Sequence, residues 1–209
     1  DLLANGGVHI GGTDFGRRLR LACVMPQLGY GGLTGGRVTP SSVYFNLATW
    51  HTINQAYTRE VLAEQKRLAM DAAEPDKVAR LLLLLEQRAG HWLANAVEEA
   101  KIELSERTHA ALVLDRLGSP LSVTIARDDF ERATAALVDK VEATLAALLR
   151  DAALRVEDID TVFFTGGSSA IPHLRRRIAA LAPRARVVEG DLFGSIGAGL
   201  AVDAARRYG

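Results

Sequence analysis

The stretch Thr161-Val162-Phe163-Phe164-Thr165-Gly166-Gly167-Ser168-Ser169-Ala170-Ile171-Pro172 constrains the fold of this chain more than any other. Its apolar start, residues 161–164, reads as a buried parallel strand. Residues 171–181 read as an amphipathic helix with Pro172 in its first turn. A strand that breaks at two glycines and enters a helix leaves backbone N–H groups facing outward. With no Cβ in the way, a ligand can approach that backbone, and a nucleotide suits such a turn. Gly-Gly also marks ordinary strand–turn–helix connections, so on this turn alone both readings stand.

The final third continues with a strand near Arg186-Val187-Val188 and a last helix from about Gly194. Helix, strand, helix, strand, helix indicates a parallel α/β sheet. Residues 1–4 read as the end of a strand entering the turn Asn5-Gly6-Gly7, and the chain is expected to be a fragment of a longer protein. Thr13 or Asp14 is expected to cap a helix starting near Phe15. The glycine-rich residues 26–40 read as a loop. Val43, Leu47, Trp50, Asn54, Tyr57 and Val61 then repeat at helical steps behind Ser41 or Ser42. Residues 71–76 break the pattern, and a long helix is expected over 77–106 with Gly90 inside it. A bend or close packing is expected at that glycine. Residues 110–114 and 121–125 read as a hairpin, followed by a helix over 130–151.

With 48% hydrophobic residues in 209, the chain can bury a sizeable core. Lysine plus arginine equals aspartate plus glutamate, 25 each, so no strong net field recruits nucleic acid. Arg175, Arg176 and Arg177 fan over different helix faces and read as solvated surface. Cys23 stands alone, which excludes an internal disulfide and a cysteine-rich zinc site and fits a reducing compartment. The five histidines lack metal-ligand spacing. No apolar run is long enough to span a bilayer, and no signal peptide is evident. A cytoplasmic protein with no metal site, nucleic-acid partner or membrane partner is the expectation.

Glu98, Lys101 and Ser105 stand at i, i+3 and i+7 and share one helical stripe, beside the core stripe Leu93, Val97, Ala100 and Leu104. An acid, an amine and a hydroxyl in line can hydrogen-bond ribose hydroxyls and purine edges, with Ile102 at the border to press on a flat base. The same spacing also describes an ordinary solvated face.

Four landmarks together resemble DnaK-type heat-shock chaperones, the heat shock protein 70 family. His9-Ile10-Gly11-Gly12-Thr13-Asp14-Phe15 is similar to their H-L-G-G-x-D-F. Ala100-Lys101-Ile102-Glu103-Leu104-Ser105 is similar to A-K-x-x-L-S. Residues 164–172 are similar to V-G-G-S-T-R-I-P, and Gly190-Asp191 followed by Ile196-Gly197-Ala198-Gly199 to P-D-E-A-V-A-x-G-A-A. The four occur in the family's order. The loop over 24–31 and the helix beginning Phe45-Asn46-Leu47 resemble instead a YegD-like subgroup without a peptide-binding domain.

The resemblance implies an α/β fold: lobe II of the actin-like (ribonuclease H-like) ATPase domain with an inserted, mostly helical α+β subdomain. Residues 1–11 and 135–209 would be the inner subdomain, and 12–134 the outer one. It implies ATP or ADP with Mg2+ in the full-length protein. Adenosine would lie between Glu98, Lys101, Ile102 and Ser105 and the turn Gly166, Gly167, Ser168 and Ala170. Gly12 would lie near the phosphates and Asp191 beside the adenosine pocket, with Gly11 also among the nucleotide-binding residues. Further implied partners are the missing N-terminal lobe of the same chain, client proteins and co-chaperones in a stress response. Ala170 stands where the family usually has an arginine, Ile102 replaces an often basic residue, and Gly16 replaces a usual aspartate. The family's phosphate hairpins, lysine and acids would all lie upstream, so no residue here is assigned a catalytic role, and the fragment alone is expected not to hydrolyse ATP. Two alternatives stay open: a lobe of an actin-fold small-molecule kinase or phosphatase, and a non-catalytic interaction module with a decayed nucleotide site.

Overall fold

The computed structural model describes residues 2–118, 121–190 and 194–208, with backbone alone at 195 and 196. The chain divides into two compact units, residues 13–134 and residues 1–12 with 135–209.

The first unit opens with α1 (Gly12–Leu19), which starts ahead of Phe15, so Thr13 and Asp14 lie inside the helix. Asp14 in the first turn and Arg17 and Arg18 in the last complement the helix dipole. Phe15 and Leu19, four apart, are buried. The helix then widens into a π turn, Arg20–Val24, and tightens into a 3-10 turn, Met25–Leu28. Gly29 ends it at φ +95, with the Tyr30 amide donating to the Met25 carbonyl at 3.0 Å. Residues 26–40 are therefore not a plain loop. They also hold the hairpin β1 (Leu33–Thr34) and β2 (Arg37–Val38). Gly35 and Gly36 both have positive φ, as a tight two-residue turn requires.

The helix expected to run unbroken through Val61 is three pieces. After α2 (Ser42–Ala48), Thr49 is extended at φ −111, ψ 114. A 3-10 helix spans Trp50–Tyr57, and the Thr58 hydroxyl caps α3 (Arg59–Ala69) by accepting the Val61 amide at 3.3 Å. Three residues per turn move the buried face to Ile53 and Ala56 and leave Trp50 and Asn54 exposed. The long helix expected over 77–106 is likewise two, α4 (Pro75–Glu86) and α5 (Gly90–Glu106). Arg88, at φ +51, makes the break: the Ala89 amide reaches the Leu84 carbonyl at 2.9 Å and the Arg88 amide the Leu85 carbonyl at 3.1 Å. This pair of bonds caps a helix through a left-handed residue, a place usually held by glycine.

The hairpin β3 (His109–Val113) and β4 (Ser122–Ala126) pairs antiparallel, Ala111 opposite Thr124. Its buried residues Ala110, Leu112 and Ile125 lie on one side. α6 (Arg127–Asp151) follows directly, and Arg127 Nε donates at 2.8 Å to the Leu104 carbonyl in the last turn of α5. Phe130 is fully buried, edge-on to Phe15 with ring centroids 6.4 Å apart.

In the second unit α6 ends at a left-handed Ala153, with the Leu154 amide bonded to the Leu149 carbonyl at 2.9 Å. β5 (Thr161–Phe164), α7 (Pro172–Leu181), β6 (Arg186–Glu189) and α8 (Ser195–Tyr208) follow in the expected order. β5 and β6 pair in parallel, Val162 opposite Val187. β5 is not buried on both faces: Phe164 is 7% exposed and Phe163 58%. Among the described residues β6 is its only neighbouring strand. Residues 2–4 form no strand, since an extended segment without a paired neighbour has no ladder. Arg175 and Arg177 are more than solvated surface. Arg175 lies over the Phe164 ring at 5.2 Å and pairs with Glu189, while Arg177 pairs with Asp139 and Glu142. Among the described residues no helix is long and apolar enough to cross a membrane.

Candidate functional site

α5 carries the polar row because the adjacent stripe is anchored. Leu93, Val97, Ala100 and Leu104 are all buried, which fixes the rotation of the helix. Glu98, Lys101 and Ser105 then share the neighbouring stripe. Lys101 donates from Nζ to Glu98 Oε1 at 2.6 Å. The pair is asymmetric: the lysine side chain is 10% exposed and the glutamate 48%. The lysine side chain is thus packed into protein while about half of the Glu98 side chain stays open to solvent. The Ser105 hydroxyl leans on the Lys101 carbonyl at 3.4 Å, a long bond that leaves it available to a better partner. Ile102 is 57% exposed on the next face.

Sequence reading missed what packs against this row. Gly16 on α1 lies beside Glu98, and a Cβ there would stand 3.5 Å from Glu98 Oε2. One turn later Arg20 is 4% exposed. Burial lowers its guanidinium from the ordinary value, the Glu98 charge opposes that and the Arg17 charge adds to it. The signal was present in the spacing: Gly16 and Arg20 stand at i, i+4, next to the buried Phe15–Leu19 pair.

The diglycine turn belongs to the other unit. Gly166 sits at φ +81, ψ 151, a conformation that only glycine adopts readily, with open space where a Cβ would be. Gly167–Ala170 form a 3-10 turn that separates β5 from α7, so the strand does not enter the α-helix directly. The Ser169 amide and hydroxyl both donate to the Gly166 carbonyl, at 3.0 and 2.7 Å. Ser168 and Ala170 are half-buried. Gly11, at the end of the N-terminal segment, and Gly12, the first residue of α1, are half-buried too. Asp191 lies outside the described residues.

The row on α5 offers a carboxylate acceptor, an amine and a hydroxyl on one helix face, a donor set that fits a nucleoside. In the other unit, the glycine turn leaves its backbone unshielded at Gly166. Among the described residues no group of three or more His, Cys, Asp or Glu is arranged to hold a metal. Cys23 sits in a hollow lined also by Gln27, Thr124, Asp129 and Arg132, on elements other than the row. Its thiol is pushed up to about 11 by burial, with the Asp129 charge adding to the shift.

The model of the family described as Hsp70 protein matches residues 73–205. The chaperone protein DnaK of Cyanophora paradoxa is 35% identical over 111 residues, 50% of this chain and 18% of that protein. The chloroplastic heat shock 70 kDa protein 6 of Arabidopsis thaliana is 34% identical over 125 residues, 56% of this chain and 17% of that protein. A chaperone protein HscA homolog of Methylococcus capsulatus is 38% identical over 88 residues, 42% and 14%. The chain thus spans less than a fifth of the length of these relatives. The family match takes in α5 and the diglycine turn and leaves out Gly11, Gly12 and α1.

Proposed function

The chain belongs to the Hsp70 family, and from that premise we propose that it is a lobe of the chaperone's ATP-binding domain, built on the actin-like ATPase fold. In this reading residues 1–11 and 135–209 are the inner α/β subdomain of lobe II and 12–134 the inserted outer subdomain. The subgroup is the YegD-like one, and the intact protein works with co-chaperones in the cytoplasm.

The observation that carries the reading is the Lys101–Glu98 pair, with the lysine side chain almost wholly buried and the glutamate side chain half open. A pair that served the surface alone would leave both long side chains in water, where it contributes little. Here the lysine is already ordered, so a nucleoside hydroxyl that bonds to the pair pays little further entropy. Glu98 accepts from a ribose hydroxyl, Lys101 donates to one, Ser105 meets the base edge and Ile102 covers its face. Gly166, Gly167, Ser168 and Ala170, together with Gly11, Gly12 and Asp191, are the further residues that this reading assigns to nucleotide binding. Bound Mg-ATP supplies the phosphoryl group to be transferred; the residues of this chain bind and orient. None of them is assigned to the chemical step, so this stretch by itself is not hydrolytic.

The test is calorimetric titration of the full-length protein with Mg-ATP and Mg-GTP, with Lys101→Ala as the comparison. Loss of most of the affinity in the variant is expected. Unchanged binding removes the row from the site, and no binding by the wild type favours a decayed interaction module, for which Ala170 in place of arginine is the supporting feature.

A further inference from the structure

Arg20 is 4% exposed, and its Nε has no hydrogen-bond partner among the described residues. Arg17, three residues earlier, also buries an Nε with no hydrogen-bond partner among the described residues. Residues three apart on a helix share a face, so the two unmet donors are neighbours. A guanidinium keeps its charge at any working pH, so it cannot escape burial by losing a proton, as a lysine can. Glu98 is the one acid whose charge acts appreciably on Arg20, and that carboxylate already accepts a hydrogen bond from Lys101. Arg20, a buried cation, is therefore left with a share of one engaged acid, and the buried Arg17 Nε stands beside it.

Two further features mark the spot. Backbone spacing widens to a π turn at Arg20, and such turns concentrate at functional sites. Gly16, one turn before Arg20, presents only hydrogen toward Glu98 and leaves the space beside the pair unfilled by a side chain.

We propose that Arg17 and Arg20 form a phosphate subsite beside the Glu98–Lys101 pair, and that its occupant is a ribonucleotide carrying a phosphate on its ribose ring as well as at its 5′ position. The forked donors of two guanidinium groups match a phosphate's oxygens. The assignment to the ribose rests on the reading of Glu98 and Lys101 as the partners of the ribose hydroxyls. A phosphate esterified to one of those hydroxyls is the oxyanion that a nucleotide brings to this place.

The experiment titrates the full-length protein with ADP, with adenosine 3′-phosphate 5′-diphosphate, with its 2′-phosphate isomer and with inorganic phosphate. Arg20 is buried and its replacement risks the fold, so Arg17→Gln is the working variant and the exposed Arg18→Gln the charge-matched control. One phosphorylated isomer is expected to bind at least tenfold more tightly than ADP, with the advantage lost in Arg17→Gln and kept in Arg18→Gln. If ADP binds and neither isomer exceeds it, the proposal is overturned, as it is if Arg17→Gln keeps the advantage. If ADP does not bind at all, the reading of the row fails separately. Inorganic phosphate then judges the arginines alone: a rise in Tm that Arg17→Gln abolishes supports an oxyanion site, and no rise overturns it.

Discussion

Gly90 donates its amide hydrogen to the Tyr57 hydroxyl at 2.8 Å, at a point where no side chain would fit. A Cβ on Gly90 would stand 2.5 Å from that oxygen and 2.7 Å from Ile53 Cγ2. The start of α5, and with it the helix that carries Glu98 and Lys101, is seated directly on the 3-10 helix.

Gly90→Ala is therefore expected to destabilise the protein, although alanine is the better helix former by about 1 kcal/mol. Overpacking costs about 1–3 kcal/mol, and the lost amide bond adds to it. Urea unfolding measures the sign, and a gain in stability would show that the seat gives way easily.

Gly166→Ala tests the opposite case, in which space is free and the backbone is not. At φ +81 and ψ 151 an alanine costs about 1–3 kcal/mol, with nothing near its Cβ to blame. Gly167 does not have positive φ, so Gly167→Ala should be milder by the backbone criterion. Equal losses in denaturant midpoint would put the cause elsewhere.

Ala153 and Arg88 both cap helices from the left-handed region, at φ +54 and +51. Ala153→Gly should stabilise the fold by up to about 1 kcal/mol, the relief of the Cβ strain outweighing the extra freedom of glycine in the unfolded chain. Arg88→Gly should gain less, because the guanidinium lies 5.9 Å from the centre of the Tyr57 ring and that contact is lost. Thermal melts of the two variants rank them.

Alkaline pH should unfold the protein through Tyr44 and Cys23. Burial raises Tyr44 from 10.0 to about 12 and Cys23 from 9.0 to about 11. Each group is held neutral in the fold, so its contribution is whole below the unfolded value and disappears as pH rises through the folded one. Stability is expected to fall from about pH 9, more steeply from 10 to 12, and Tyr44→Phe should blunt the second part. The Cys23 thiol should react slowly with a disulfide reagent at pH 7.5, since little of it is thiolate. Fast labelling of the folded protein would contradict the burial.

Much of this was legible in the residues. The order of elements in the last third and the hairpin at 109–126 follow from apolar spacing and turn residues, and so does the split of α5 into a core stripe and a polar row. The breaks were not legible. Thr49 and Arg88 carry no helix-stopping chemistry of their own. The close approach of Gly90 to Tyr57, two residues beyond Arg88, is a tertiary contact that spacing does not reveal. Val43, Leu47, Trp50, Asn54 and Tyr57 fit an α-helical repeat, yet three residues per turn chose Ile53 and Ala56 for burial. At the candidate site the row itself was visible. The burial of Lys101 was not, because spacing cannot tell a packed ammonium from a solvated one. Arg17 and Arg20 were missed because charged residues on a short helix read as surface.

The parallel ribbon of β5 and β6 has a practical corollary for anyone handling this polypeptide. Each strand offers one rim of backbone donors and acceptors with no ladder beside it among the described residues, and Phe163 and Val187 add oily surface. Purified in this length, the material is expected to clump as concentration rises, strand rim to strand rim.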